Sequence, residues 1–393
     1  MQRDTKHRAS RRSKGKTGHR GRIALVLLLL LAIVTWLAWK RGYLPWPAKS
    51  PRPPIALTNA PVVAGQSRAK GWREPSPPPL SNAPLSRIST QVVFRTVPAS
   101  IPMANQVASP KSAALFEAQI SLDRLGISSG SIDGVAGSQT RSALRVFQSR
   151  EGLPTTGELD AETRGRLPSG PPVTTQKLVE ENDLARLLPV APTWLGKSEQ
   201  PRLDFETALE AIAERNHAHP NLLRRLNPTT DWAALQPGTE LVVPATEREA
   251  PRTKAAYIQI RLAERTLQAY DASNRLLAHF PCSIAQRMEK RPVGELHVAV
   301  IAPNPNYTFD PAVFPESAEA REIGRKLILP PGPNNPVGTV WIGLDKPGYG
   351  IHGTPKPEDV GRTESHGCFR LANWNAEYLL QLVTVGTVVR VEP

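Results

Sequence analysis

The chain has 393 residues, 40 prolines and a formal net charge of +14, and neither the prolines nor the charge are spread evenly. Eleven of its 49 Lys and Arg residues lie in the first 41 positions, where Asp4 is the only acidic residue. The other 352 positions are nearly balanced, so no folded domain shows a basic face and a nucleic-acid partner is not expected.

The N-terminal sequence predicts a membrane anchor. A basic arm over residues 1–22 precedes the uncharged, apolar segment 23–39, which is near the lower length limit for a membrane-spanning helix. The excess of Lys and Arg before the segment predicts a cytoplasmic N-terminus. No small-residue cleavage site follows, which favours an anchor over a cleaved signal peptide. We therefore predict a single-pass inner-membrane protein that contacts the cytoplasmic membrane through residues 23–39, with the rest of the chain in the periplasm.

Residues 40–110 are rich in Pro, Ser and Ala and show no hydrophobic periodicity. Such a composition buries too little apolar surface to offset the entropy of ordering. We predict a disordered, semi-extended linker that tethers the rest of the chain to the membrane.

Residues 111–168 show helical spacing of apolar residues, interrupted by a Gly- and Asp-rich loop. The ordered pattern in this segment is Asp133, Gly134, Gly137, Thr140, Ala143, Leu144, Phe147 and Gln148. It resembles the type 1 peptidoglycan-binding domain, and this resemblance implies a three-helix fold and peptidoglycan as a partner.

Residues 169–200 are predicted to be a second linker, followed by a small α+β unit over residues 201–245. Two short helical patterns lead to the strand-like ending LQPGTELVVP. This ending is similar to that of a LysM module, although the N-terminal strand of such a module is poorly represented. Glycan binding and a purely structural spacer both remain open for this unit.

From residue 255 the apolar residues alternate with polar ones, as in AYIQIRL and RTLQAYD. Period-two alternation around Asx-rich turns predicts antiparallel strands. A helical pattern occurs near residues 374–382. Residues 255–393 are therefore predicted to form a mainly-β domain, a sandwich or open barrel with a C-terminal helix.

Within this domain lies YGIHGTPKPEDVGRTESHGCFRLANW, in which a first His is followed by Ser-His-Gly-Cys. The segment resembles the YkuD family of L,D-transpeptidases, and the resemblance covers essentially all of residues 255–393. It implies the following roles: Cys368 as nucleophile, His352 as proton donor and acceptor, Gly353 as the residue that orients His352 through a backbone carbonyl, Gly367 in an oxyanion hole, and Ser365 and His366 as further catalytic-motif residues. Arg370, where many members carry Asn, is a candidate for substrate binding.

The chemistry of these residue types agrees with that resemblance. A thiol attacks as the thiolate, and a neighbouring imidazole can take its proton and favour the anion. The family implies that Cys368 attacks the tetrapeptide stem of peptidoglycan, releases D-Ala and transfers the acyl group to an amine, which gives a 3→3 cross-link. The broken peptide bond supplies the energy, so no cofactor is expected.

Other interpretations stay open at this stage. The same residues would serve an L,D-carboxypeptidase or a protein-to-wall ligase, and a decayed domain would leave a non-catalytic wall-binding tether. A mixed zinc site is the alternative for His352, Glu364, His366, Cys368 and Asp359, but the spacing matches no common ligand set. Structural roles are predicted for Cys282, His279 and His297, and solvated surface positions for Lys356 and Arg362.

Overall fold

The computed structural model describes residues 109–314, 316–363 and 367–393. The basic arm, the predicted membrane segment 23–39 and the linker before residue 109 lie outside the described residues. In the part of the chain that is described, no helix is both long enough and apolar enough to cross a membrane.

The first described module is helical, as the sequence predicts. It consists of α1 (Pro110–Arg124), α2 (Ser138–Arg150) and α3 (Ala161–Arg166). The hydroxyl of Ser109 accepts a hydrogen bond from the backbone N–H of Ser112 and caps the start of α1. The apolar residues of α1 and α2 form the core because their helical spacing places them on the facing sides of the two helices.

Two buried glutamines organise the loops between these helices. Gln119 accepts hydrogen bonds from the backbone N–H groups of Asp133 and Gly134, and its amide nitrogen donates to Thr140. Gln148 accepts from the backbone N–H of Gly157 in the second loop. Because each amide both donates and accepts, one side chain satisfies several loop groups that are shielded from water.

A second module combines a two-stranded sheet with short helices. Strands β1 (Thr174–Leu178) and β2 (Glu240–Pro244) are antiparallel. Between them lie α4 (Glu181–Ala185), α5 (Trp194–Glu199), α6 (Ala208–Arg215) and α7 (Pro220–Leu226). The apolar faces of α6 and α7 pack with β2 in one hydrophobic core.

The prediction that residues 169–200 form a linker is wrong. The segment contains β1, α4 and α5, and β1 pairs with β2 although the sequence pattern did not predict this strand. The physical reason is that TTQKL is polar and largely exposed, so it lacks apolar alternation. Its pairing with β2 depends on backbone hydrogen bonds, which any sequence can make.

The C-terminal domain is mainly β, as predicted. Its strands in chain order are β3 (Tyr257–Arg261), β4 (Thr266–Tyr270), β5 (Leu276–Pro281), β6 (Gly294–Pro303), β7 (Tyr307–Phe309), β8 (Leu327–Leu329), β9 (Val340–Leu344), β10 (Gly350–His352), β11 (Phe369–Arg370) and β12 (Val388–Glu392). Helix α8 (Ala318–Ile323) lies between β7 and β8, and α9 (Asn373–Leu382) follows β11. Short 3₁₀ helices occur at Met288–Lys290, Pro311–Val313 and Pro357–Asp359.

Eight of these strands form one curled, mixed sheet in the order β11-β10-β9-β6-β12-β3-β4-β5. The pairs β10/β11 and β12/β3 are parallel, and the other pairs are antiparallel. Alternate residues such as Ile258 and Ile260 point into the main core, where α9 contributes Leu379 and Leu382. The predicted C-terminal helix is therefore part of this core.

The separate β7/β8 ribbon packs against the segment that precedes α6. The Trp194 ring stacks on Phe309 with ring centroids 4.5 Å apart, and Leu203 is buried in the same cluster. The backbone N–H of Leu203 donates to the carbonyl of Pro331 at 3.0 Å. The second module and the C-terminal domain thus share a continuous apolar contact.

The helical module covers one edge of the large sheet. The backbone N–H of Ser128 donates to the carbonyl of His279 at 2.8 Å, and the N–H of His279 donates to Gly126 at 2.9 Å. His279 belongs to β5, the edge strand opposite β11. An uncovered edge would expose unpaired backbone groups, so this contact protects the sheet and fixes the module to it.

Asp123, at the end of α1, joins the three modules through a buried polar cluster. Its carboxylate lies 2.8 Å from Nδ1 of His217 and forms an ion pair with Arg248. Nη2 of Arg248 also donates to Oδ1 of Asn375 in α9 at 2.9 Å. Burial alone would raise the pKa of Asp123, but the charges of Arg248 and His217 outweigh it and lower the pKa to about 2. The carboxylate is therefore ionised throughout the physiological range.

Replacing Arg248 with Met should destabilise the protein by about 3–5 kcal/mol, because the buried Asp123 charge loses its main partner. The measurement is the midpoint of chemical unfolding at neutral pH. Arg252→Met is the control, since Arg252 forms only an exposed ion pair with Glu249. Equal midpoints for the two variants would contradict a structural role for the cluster.

Candidate active site

The two strands that end the large sheet bring the predicted site residues together. Strands β10 and β11 are parallel, with Ile351 opposite Phe369 and His352 opposite Arg370. Ile351 and Phe369 are buried in the core. Because successive side chains on a strand point to opposite faces, His352 and Arg370 both lie on the face away from that core.

Cys368 lies one residue before β11, beside the start of β10. Its sulfur is 3.6 Å from the carbonyl oxygen of Gly348, to which the thiol donates, and the backbone N–H of Gly350 donates to the sulfur. His352 follows Gly350 by two residues on the same face of the strand, a spacing of about 7 Å. The thiol and the imidazole therefore lie on the same face of the sheet.

A backbone carbonyl fixes the orientation of the His352 ring. Nδ1 of His352 lies 2.6 Å from the carbonyl oxygen of Gly353. A carbonyl can only accept, so Nδ1 carries the proton and Nε2 is left with a free lone pair in the neutral ring. His352 is buried. It is thus held as a hydrogen-bond acceptor through Nε2.

Trp341 packs beside His352 and was not identified from the sequence. It lies opposite His352 on β9, and the two rings stack with centroids 5.7 Å apart. A Cβ added to Gly343 or Gly350 would lie within 3 Å of the indole. These two glycines therefore let the indole lie flat across the strands. The sequence pattern that could have indicated this packing is a Trp followed by glycines in the same strand and in the next one.

Asn373, the first residue of α9, holds the turn that follows β10. Its Oδ1 accepts hydrogen bonds from the backbone N–H of Thr354 at 2.9 Å and of Thr339 at 3.2 Å. The amide packs so closely on Gly353 that a Cβ there would collide with it. Asn373 is fully buried. It therefore fixes the peptide whose carbonyl orients His352, a role that no sequence pattern indicated.

Burial keeps both catalytic candidates in their neutral forms. It raises the pKa of the Cys368 thiol, against the opposing effects of the Gly350 N–H and the Arg370 charge. It also lowers the pKa of His352 to about 4; the Gly353 carbonyl opposes this shift and Arg370 adds to it. Desolvation disfavours each charged form, so both shifts favour the neutral thiol and the neutral imidazole.

The loop between His352 and Cys368 is anchored at its middle. The backbone N–H of Gly361 donates to the Ser283 hydroxyl at 2.8 Å, and Arg265 donates to the Gly361 carbonyl at 3.2 Å. Gln139 of the helical module donates to the Val360 carbonyl at 2.5 Å. The structure thus ties this loop to both the sheet and the helical module.

Part of the predicted motif lies outside the described residues, namely Glu364, Ser365 and His366. Gly367 is described, and a Cβ added there would meet no protein atom within 4 Å. The position therefore has open space around it. The oxyanion-hole role of Gly367 stays a prediction.

Arg370 and Tyr307 add to the electrostatics around the thiol. Arg370 and Ser283 exchange two backbone hydrogen bonds, which fix the position of Arg370. The charge of Arg370 lowers the pKa of both Cys368 and His352. Burial, followed by the influence of Cys368 and Asp310, raises the pKa of Tyr307 to about 12. Tyr307 is a further residue near the thiol that the sequence did not reveal.

The residues predicted to be structural occupy different settings. Cys282 is buried, burial raises the pKa of its thiol, and the two cysteines of the chain form no disulfide. His279 is buried, which lowers its pKa to about 4. His297 is exposed and lies 3.0 Å from Asp345. Lys356 and Arg362 are exposed.

Among the described residues, no cluster of three His, Cys, Asp or Glu side chains is arranged to hold a metal.

Comparison with known families assigns two of the modules. Residues 255–391 match the family model of the YkuD "L,D-transpeptidase catalytic domain". Residues 111–167 match the model of the "Putative peptidoglycan binding domain". The unit over residues 201–245 lies outside both matched ranges.

Individual relatives carry the same family name. "Putative L,D-transpeptidase YkuD" of Bacillus licheniformis is 27% identical over 185 residues, which are 47% of this chain and 93% of that protein. "Probable L,D-transpeptidase ErfK/SrfK" of Salmonella typhimurium is 31% identical over 185 residues, covering 47% of this chain and 59% of the relative. A solved L,D-transpeptidase from Mycobacterium smegmatis shares 18% identity and covers 40% of this chain and 64% of that one, with a TM-score of 0.28. This last likeness is too weak to support an argument.

Alkylation of Cys368 should depend on the neutral ring of His352. Burial lowers the pKa of His352 to about 4, so the ring can take the thiol proton at neutral pH, and we expect an iodoacetamide rate that is nearly constant from about pH 6 to about pH 8. In His352→Ala the rate should instead rise about tenfold per pH unit with the thiolate fraction, because burial raises the thiol pKa. Intact-mass measurement with peptide mapping gives the rate, and buried Cys282 serves as the internal control. A wild-type rate that rises about tenfold per pH unit would contradict a role for His352 as the base.

Proposed function

We propose that this chain, which carries an L,D-transpeptidase catalytic domain beside a peptidoglycan-binding domain, is a cysteine-dependent peptidoglycan L,D-transpeptidase. The observation that carries the proposal is the common face of β10 and β11, where the Cys368 thiol lies beside Gly350 and His352 follows two residues later. A nucleophile, a base and an orienting acceptor for the base are the components that acyl transfer requires.

In the first half-reaction, the Cys368 sulfur attacks the carbonyl carbon of the bond between the third residue of a tetrapeptide stem and its terminal D-Ala. Nε2 of His352 takes the thiol proton as the S–C bond forms. The developing oxyanion would accept hydrogen bonds from the backbone N–H groups of Gly367 and Cys368. When the C–N bond breaks, His352 returns the proton to the departing D-Ala amine, and a thioester remains.

In the second half-reaction, an amine of a neighbouring stem attacks the thioester carbonyl. His352 takes a proton from that amine, the C–S bond breaks, and the proton returns to the sulfur. A new amide, the 3→3 cross-link, replaces the one that was broken. Water as the acceptor would give an L,D-carboxypeptidase instead, and a protein lysine would give a protein-to-wall ligase.

The neutral resting pair fits this sequence of proton transfers. A half-buried thiol and a buried imidazole avoid the cost of holding two charges away from water before substrate arrives. The proton moves to His352 only as the sulfur attacks, when the negative charge passes to the carbonyl oxygen. Transfer to an amine rather than to water requires that the acyl-enzyme be sheltered from water.

The other modules would hold the catalytic domain on its polymeric substrate. A groove between the three helices is lined by Leu115, Thr140, Arg141, Leu144, Asp160 and Arg164, and we propose that it contacts peptidoglycan. A LysM-like glycan-binding role for residues 201–245 fits the packing of α6 and α7 against β2, which pairs with β1 outside this range. The predicted anchor 23–39 and linker 40–110 would keep the enzyme at the periplasmic side of the inner membrane.

The activity is tested by incubating the purified chain with disaccharide-tetrapeptide and measuring products by mass. The expected product has the mass of two substrates less one alanine, whereas tripeptide alone would indicate hydrolysis. Cys368→Ala should abolish both products, because it removes the thiol that forms the thioester. Cys282→Ala is the matched control and should keep its activity, provided that its stability is restored at low temperature. Undiminished turnover in Cys368→Ala would refute the mechanism.

A further inference from the structure

We propose that Glu214, in helix α6 outside the catalytic domain, is a positioning residue for His352 and that the second module thereby completes the active site. The inference deepens the proposed function, because it assumes that His352 is the catalytic base. It rests on a chain of hydrogen bonds that crosses from α6 to the turn after β10.

The chain begins at the side-chain amide of Asn373. Its Nδ2 donates to Oε1 of Glu214 at 2.9 Å and, over a longer 3.3 Å contact, to the carbonyl of Pro333. Its Oδ1 accepts from the backbone N–H groups of Thr354 and Thr339. All four hydrogen bonds of this buried amide are thus made, and the shorter of its two donor bonds goes to the neighbouring module.

The hydrogen-bond partners of the Asn373 amide determine which way round it lies. If the amide of Asn373 rotated by half a turn, its NH₂ group would face the N–H donors of Thr354 and Thr339, and its oxygen would face Glu214. Donor would then meet donor on one side. The N–H groups of Thr354 and Thr339 therefore set the orientation in which Oδ1 holds the peptide of Thr354, and the Glu214 oxygen holds the NH₂ group in place.

The held peptide is the one that orients the base. The backbone N–H of Thr354 and the carbonyl of Gly353 belong to the same peptide unit, which is planar and rigid. That carbonyl accepts the Nδ1 proton of His352. A shift of this peptide would rotate the imidazole, and catalytic geometry tolerates displacements of well under 1 Å.

The surroundings of Glu214 suit an oxygen acceptor that does not need to be charged. Burial raises the pKa of Glu214 to about 8; the bond from Asn373 opposes this shift, and the nearby Glu377, Glu210 and Glu358 add to it. The protonated carboxyl still presents a carbonyl oxygen to Asn373. Glutamine has the same shape and the same acceptor, so it should replace Glu214 with little loss.

The chain offers a matched control one turn earlier on α6. Glu210 is also partly buried, and burial likewise raises its pKa. Its Oε1 accepts from Nδ2 of Asn334 at 2.7 Å, and Asn334 donates further to the carbonyl of Asp204. Glu210 thus bonds an asparagine of the catalytic domain that is distinct from Asn373 and from the turn after β10.

The experiment compares four variants of the full chain, namely Glu214→Ala, Glu214→Asp, Glu214→Gln and Glu210→Ala, with His352→Ala as the reference for a lost base. Two quantities are measured, the iodoacetamide rate at Cys368 at neutral pH and the kcat and KM for disaccharide-tetrapeptide. The melting temperature of each variant is recorded, so that loss of fold is separated from loss of positioning.

We expect Glu214→Ala to lower the alkylation rate toward that of His352→Ala and to lower kcat by about 10- to 100-fold, with KM within about twofold. Glu214→Asp should behave like Glu214→Ala, since its carboxyl is one methylene short of Asn373. Glu214→Gln should stay within about threefold of wild type. Glu210→Ala should keep its alkylation rate and kcat even if its melting temperature falls as much as that of Glu214→Ala.

Equal alkylation rates and kcat in Glu214→Ala and Glu210→Ala would overturn the inference, as would failure of Glu214→Gln to rescue. If Glu214→Ala does not fold, the contrast between Glu214→Asp and Glu214→Gln decides by the same criteria. A wild-type chain without cross-linking activity would refute the proposed function alone, because the alkylation rates would still report on the positioning of His352.

Discussion

The parallel pairing of β10 with β11 is the constraint on which the active site depends. Its register sets Ile351 and Phe369 into the core and leaves His352, Arg370 and the preceding Cys368 on the opposite face. A slip of one residue would exchange the two faces of β11. The thiol would then point into the apolar core and the imidazole would lose its partner. The large burial of Ile351 and Phe369 therefore secures the chemistry as well as the fold.

Contacts between modules stabilise that sheet from both ends. The helical module covers the β5 edge through backbone hydrogen bonds, and the buried carboxylate of Asp123 links it to His217 and Arg248. Near the other edge, Gln139 reaches the loop between the two catalytic candidates. The wall-binding and catalytic modules are thus not merely joined in sequence. Because these polar contacts are buried, losing one partner would leave the other unsatisfied.

Desolvation also shifts the pKa values of the Cys368 thiol and the His352 imidazole. Burial raises the pKa of Cys368 and lowers that of His352, so the pair rests without charge. In such a pair the proton moves from the thiol to His352 while the sulfur attacks the carbonyl carbon. The orientation of Nε2 of His352 is then more important for the reaction than a preformed thiolate. The groups that position the imidazole are therefore important for the proposed reaction. They are the Gly353 carbonyl, the amide of Asn373 and the indole of Trp341.

Local patterns in the sequence were enough to identify the chemically reactive residues and the secondary structure around them. The order of His352 and Cys368 within one motif, the period-two strands and the helical spacing of residues 111–168 are all patterns of this kind. Contacts between distant residues, such as Glu214 with Asn373 or Asp123 with Arg248, became visible only in the folded chain. The folded chain also shows β1, whose polar residues pair with β2 through the backbone, and the desolvation that raises the pKa of the Cys368 thiol. The burial of a side chain and the identity of its partners depend on residues that are distant in the sequence. Neither can therefore be inferred from the residues next to it in the chain.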